Sequence, residues 1–97
     1  MNGVTIMIEI NKDTNSFYVG DQDKRDAEIH YVPSGNGIII VDHTFVSDHL
    51  RGQGVGQELV RRVVEFARKE RLKIMPLCPF TKSQFDQHQD YDDVLLK

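Results

Sequence analysis

Three glycines at alternate positions, Gly52, Gly54 and Gly56, separate an apolar run from a helical pattern, and they constrain this chain more than any other feature. Before them, Ile38 to Val46 reads as a strand whose first half, Ile38 to Val41, is apolar on both faces. Such a strand belongs in the centre of a sheet covered on both sides. After them, Val55, Leu59, Val63, Phe66 and Ala67 recur at helical spacing, with Val60 and Val64 widening the stripe. Arg51-Gly52-Gln53-Gly54-Val55-Gly56-Gln57 is therefore a strand-to-helix turn. Glycines there let backbone N–H groups face a concavity without obstruction by Cβ, and the helix start adds unpaired N–H groups and the positive end of the dipole. Arg51 adds a cation. The combination predicts an anion site, most naturally for phosphate. It is not a P-loop, because Gln57 and Glu58 follow Gly56 where Lys and Ser or Thr are needed. It is not a dinucleotide fingerprint either, because the third glycine position falls on Gln57 or Leu59.

The flanking segments supply the rest of a mixed α/β domain spanning residues 1–97. Alternation predicts strands at Val4 to Ile10, Ser16 to Gly20 and Ala27 to Tyr31, with polar turns at Asn11 to Asn15 and Asp21 to Asp26. Pro33-Ser34-Gly35-Asn36-Gly37 marks a hairpin loop before the long strand. Lys73 to Cys78 reads as a fifth strand. Pro79 opens a second helix to about Gln87, with Thr81 and Ser83 as alternative caps, and Val94 to Leu96 fits a docking turn. The order is β-β-β-β-α-β-α: an antiparallel meander, then a β-α-β unit with a parallel pair and a right-handed crossover. Pro76 cannot donate to a ladder, so strand pairing should fail near it.

Composition narrows the function classes. Twelve Lys and Arg against 15 Asp and Glu give a net charge of −3, which ranks nucleic acid low as a partner. No apolar run is long enough to span a bilayer, and no signal-peptide pattern opens the sequence, so a cytoplasmic protein without a membrane partner is expected. Nothing requires a dimer, and a monomer is expected. Four scattered His and one Cys make no metal-ligand pattern.

On these residues the chain resembles the GNAT N-acetyltransferase superfamily. Arg51-x-x-Gly54-x-Gly56 is similar to its Arg/Gln-x-x-Gly-x-Gly/Ala signature, which grips the pyrophosphate of acetyl-coenzyme A. His43-Thr44-Phe45-Val46, Leu77-Cys78-Pro79-Phe80 and His88-Gln89-Asp90-Tyr91 resemble a short single-domain subfamily, with Gln89 in place of its Pro. The resemblance implies acetyl-coenzyme A as co-substrate, no metal, and an amine acceptor, either a small amine or a protein lysine. It implies that the strand through Thr44, Phe45 and Val46 and the strand ending at Cys78 splay apart around the pantetheine arm. It assigns cofactor contacts to Thr44, Phe45 and Val46 and to the turn Arg51, Gly52, Gln53, Gly54, Val55, Gly56 and Gln57.

The same resemblance makes Cys78 and His43 the catalytic candidates. A thiol just before a helix start has its pKa lowered by the dipole, so Cys78 either takes the acetyl group or protonates the leaving thiolate. The plain alternative is a small buried residue. His43 is either the base that relays the amine proton or a structural histidine. Strict alternation sets it on the face of Ile39, Val41 and Phe45. Some relatives carry Glu where Phe45 stands, so one carboxylate base is missing here. His30 and His49 read as surface residues, His88 and Tyr91 as packing, and Arg61 and Arg62 as a solvated helix face. The competing function is a coenzyme A-binding module without turnover, which would bind the cofactor yet release no coenzyme A with any acceptor.

Overall fold

The computed structural model describes residues 8–97. Five strands form one sheet in chain order: β1 Asn11–Asp13, β2 Ser16–Gly20, β3 Arg25–Gly35, β4 Ile38–Val46 and β5 Lys73–Pro76. β1 to β4 are antiparallel, and β5 joins β4 in parallel after the chain passes through helix α1, Val55–Glu70. Helix α2, Pro79–Gln87, follows, with short 3-10 turns at Asp48–Leu50 and Gln89–Val94. The mixed α/β class and the element order match the expectation from sequence.

The first strand does not lie where alternation put it. Its Val4 and Ile6 fall outside the described residues. Ile8 and Ile10 pack against the core without joining a ladder, and pairing begins at Asn11, in the segment read as a turn. The reason is local. Asn11, Lys12 and Asp13 pair with Tyr18, Phe17 and Ser16, and Asp13 accepts from the Thr14 N–H at 2.7 Å and from Arg25 at 2.6 Å, which closes the hairpin. Those two contacts hold the Asp13 carboxyl below its ordinary pKa, the Thr14 bond first.

α1 forms as its spacing requires. Val55, Leu59, Val60, Val63, Val64 and Ala67 are buried together with Ile29, Tyr31, Ile39, Val41 and Ile74 of the sheet. Arg61 bridges Glu58 and Glu65 on the opposite, solvated side. Among the described residues only this face of the sheet is covered. Ile38 and Ile40 are half-buried, and Val32 and Met75, which flank Ile40 in register, are 40% and 37% exposed. The expected cover on both faces is therefore not found. Instead the apolar side chains of the open face pack sideways, in a row across three strands.

The C-terminal segment closes the edge beyond β5. Tyr91 and Val94 are buried, Leu95 bridges Ile74 in parallel, and the Leu96 N–H donates to the Ile74 carbonyl at 2.9 Å. Tyr91 stacks with His88 and meets Phe85 edge-on, so both carry the packing role expected of them. Because Leu59 is fully enclosed between helix and sheet, Leu59→Ala should cost about 3 to 5 kcal/mol. Leu77→Ala, at a side chain 61% exposed, should leave the urea midpoint within error of the parent.

Candidate active site

β4 changes partners half-way along. Ile38 to Val41 pair with Lys73 to Pro76, and there the parallel ladder stops. Pro76 ends it as its missing donor requires, and the N–H groups of Leu77 and Cys78 then both converge on the Val41 carbonyl, at 3.0 and 3.1 Å. Beyond that point the β5 side of β4 has no strand beside it among the described residues.

On its other side β4 carries a bulge at the same place. His30 partners His43 while Tyr31 partners Val41, so Asp42 is an extra residue. An extra residue reverses the alternation that follows it. Thr44 and Val46 therefore turn toward the helices, while His43 and Phe45 are exposed on the open face. Strict alternation had set His43 with Ile39 and Val41, and the bulge moves it to the opposite side. There Asp42 Oδ1 lies 2.8 Å from His30 Nδ1, in a pair that the sequence did not announce.

The glycine turn borders a cleft of about 490 Å³. β4 lines it with Thr44 and Val46, the turn with Leu50, Arg51, Gly52 and Gly54, α1 with Val55, Gly56 and Gln57, and α2 with Phe80. Phe45 and Gln53 do not line it, and the Gln53 side chain donates to the His49 carbonyl instead. Gly52 and Gly54 have φ of +80° and +77°, the left-handed region that disfavours side chains. Gly54 is the N-cap of α1, so the unpaired N–H groups of that helix start open on the cleft. Gly56 is a glycine for another reason. A Cβ there would meet the Phe80 ring at 2.9 Å, so this position lets α2 approach α1 rather than freeing the backbone. Arg51 is held by Nε, near the Val46 carbonyl at 3.5 Å and Asp48 at 3.3 Å.

A family model described as GCN5-related N-acetyl-transferase matches residues 16–94, which contain both the cleft and Cys78. The chain belongs to this N-acetyltransferase family. The solution structure of a GCN5-like candidate N-acetyltransferase of Staphylococcus aureus is similar at 46% identity and a TM-score of 0.78, over 92% of this chain and 88% of that one. A ribosomal-protein-alanine N-acetyltransferase of Brucella melitensis biovar Abortus 2308 shares the fold alone, at 17% identity and a TM-score of 0.53, over 84% of this chain and 62% of that one. Among proteins with curated descriptions, none matches the sequence. As a GCN5-related N-acetyltransferase the chain is an enzyme of acetyl transfer.

In this acetyltransferase fold Cys78 is the N-cap residue of α2 and is buried, 8% exposed. It does not line the cleft. It sits behind Thr44, which does, with Sγ 3.4 Å from Thr44 Oγ1. Burial pushes the thiol up, but the Thr44 hydroxyl and then the first amides of α2, at Thr81 and Phe80, act against it, and the net position is below an ordinary thiol. Thr81, Leu50 and Phe80 were not marked as site residues in the sequence. Thr81 lies three positions after Cys78, a spacing that brings both to one side of the first helical turn, so a signal for it existed. No comparable signal pointed to Phe80 against Gly56. Among the described residues no helix is long and apolar enough to cross a membrane, and no group of three His, Cys, Asp or Glu side chains is placed to hold a metal.

Proposed function

We propose that this protein transfers an acetyl group from acetyl-coenzyme A to an amine, a small amine or a protein lysine, by way of Cys78. One observation carries the reading: the Cys78 thiol, held below its ordinary pKa, lies directly behind Thr44, and Thr44 lines a cleft that is also bordered by a glycine-rich helix start. The helix start suits the pyrophosphate, with Arg51 as its counter-ion. The open edge of β4 beyond Val41 suits the amide groups of the pantetheine arm, and its N–H groups suit the tetrahedral oxyanion.

In this reading the Cys78 thiolate attacks the thioester carbonyl carbon. A bond from that carbon to Sγ forms, the bond to the coenzyme A sulfur breaks, and coenzyme A leaves as a thiolate that takes a proton from solvent. A neutral amine then attacks the acetyl-cysteine carbonyl, the bond to Sγ breaks, and the surplus amine proton passes to solvent or to His43. An alkyl amine with a pKa of about 10.4 arrives mostly protonated, so a proton acceptor is required. His43 lies on the open face of the gap between β4 and β5, and Cys78 on the helix side, so the two would flank a thioester held in that gap.

A second reading has the amine attack the thioester directly, with Cys78 protonating the departing coenzyme A. The burial of Sγ behind Thr44 favours it. The intact mass after exposure to acetyl-coenzyme A without acceptor separates the two. The first reading expects a gain of one acetyl group, mapped to Cys78 and discharged by added amine. An unchanged mass together with coenzyme A release on adding amine would establish direct attack.

A further inference from the structure

The walls around Cys78 hold two hydroxyls that acetyl transfer as described above does not use. Thr81 is 1% exposed, one of only three polar or charged residues buried among those described. Its Oγ1 lies 3.5 Å from Thr44 Oγ1, and Thr44 Oγ1 lies 3.4 Å from Cys78 Sγ. Two elements therefore meet at one point: β4 through Thr44, and the start of α2 through its N-cap Cys78 and its first-turn residue Thr81. A buried hydroxyl is costly unless it is hydrogen-bonded, and each hydroxyl here is the other's partner.

We propose that Thr81 is a positioning residue that aims the Thr44 hydroxyl at the Cys78 sulfur, so that the two threonines form a reversible chain of hydrogen bonds. When the sulfur carries its proton, S–H donates to Thr44 and Thr44 donates to Thr81. When the proton leaves, the chain reverses: Thr81 donates to Thr44, and Thr44 donates to the negative sulfur. Either threonine can be the donor in their mutual bond, so the reversal needs only two hydroxyl rotations. No side chain moves otherwise: the proton passes to solvent, and the charge left on the sulfur is met by a hydroxyl already beside it.

Charged groups are poorly placed to do the same work. On β4, Asp42 and His43 are exposed on the far face of the bulge. On α2, Lys82 is exposed, and on the turn Arg51 is held at Nε by Asp48. The influences that lower the thiol are hydroxyls and helix-start amides, with no cation among them. A bond to a charged acceptor is worth roughly twice a neutral one, so the reversed chain favours the thiolate.

This inference rests on the reading of Cys78 as the acetyl acceptor, but it is tested without acetyl-coenzyme A. Cys78 is the only cysteine, so its alkylation by iodoacetamide reports on one thiol. The rate is followed against pH for the parent, Thr44→Val, Thr81→Val and Thr81→Ser. Thr44→Val should raise the midpoint by about one pH unit, a size expected for losing one hydrogen bond to a charged group. Thr81→Val should raise it in the same direction, and Thr81→Ser, which keeps the hydroxyl, should restore the parental midpoint. The plateau rate at high pH should rise no more than about threefold, since a thiolate of slightly higher pKa is slightly more nucleophilic. A parental midpoint in a folded Thr81→Val, or in Thr44→Val, would overturn the proposal. Thr44 is on the strand, so its variant remains informative if Thr81→Val fails to fold. A shifted midpoint with no acetyl gain on Cys78 would uphold the hydroxyl chain and reject the acetyl-cysteine route.

Discussion

Cys78→Ala should lose acetyl transfer while keeping affinity for the cofactor. Removal of a nucleophile that shares one reaction with its supporting groups costs several orders of magnitude, and a fall of about 10³-fold or more in coenzyme A release is expected here. Affinity for coenzyme A should stay within a few-fold of the parent. The thiol sits behind Thr44 rather than on the cleft wall, so alanine removes one sulfur without reshaping the space that the cofactor would fill. Cys78→Ser should not restore the rate. A serine hydroxyl ionises far above a thiol, and two neighbouring hydroxyls cannot close that difference. Full turnover in Cys78→Ala, measured with the amine that gives the highest parental rate, would remove Cys78 from both readings, as nucleophile and as proton donor, and leave direct attack unaided by the thiol. The pH dependence follows from the direction of the thiol's shift. The parental rate of Cys78 acetylation should rise with pH and level off below the pKa of an ordinary thiol.

The parts of this architecture that depend on periodicity and on backbone chemistry were legible in the sequence. The α1 stripe, the hairpin before β4, the failure of pairing at Pro76 and the helix opened by Pro79 all stand where the residues place them. What escaped was set by tertiary pairing. Asn11, Lys12 and Asp13 have turn composition, yet they pair because β2 offers an edge and Asp13 bonds Arg25 at the start of β3. The Asp42 bulge has no composition of its own, and a single uncounted residue moved His43 from the helix side of the sheet to the open face. The sequence treats the three glycines as one device, and the fold separates them: Gly52 and Gly54 take positive φ, while Gly56 makes room for the Phe80 ring. For the candidate site, the residues of the turn and Cys78 are visible because glycine and cysteine are chemically distinctive. Phe80 and Thr81 are ordinary residues whose importance arises only from what the fold sets beside them.

Gly54→Val should abolish coenzyme A binding, with a loss of about 100-fold or more in affinity. Two costs combine. At φ +77° a branched side chain suffers a steric penalty of roughly 1–2 kcal/mol, so the turn relaxes and its N–H groups lose their common direction. Only Gln57 Oε1, at 3.3 Å, stands within 4 Å of a Cβ placed on Gly54, so the new side chain would also occupy space that a phosphate at this turn needs. The matched control is Gly35→Val. Gly35 has φ +81° with nothing within 4 Å of its Cβ position, and it lies in the β3–β4 hairpin, away from the cleft. It carries the same backbone strain without the ligand. Calorimetric titration with coenzyme A should therefore show heat for the parent and Gly35→Val and none for Gly54→Val, with similar thermal midpoints in the two variants. Equal affinity in all three proteins would remove the glycine turn from cofactor binding. Loss of affinity in both variants would assign the effect to backbone strain in general rather than to the turn.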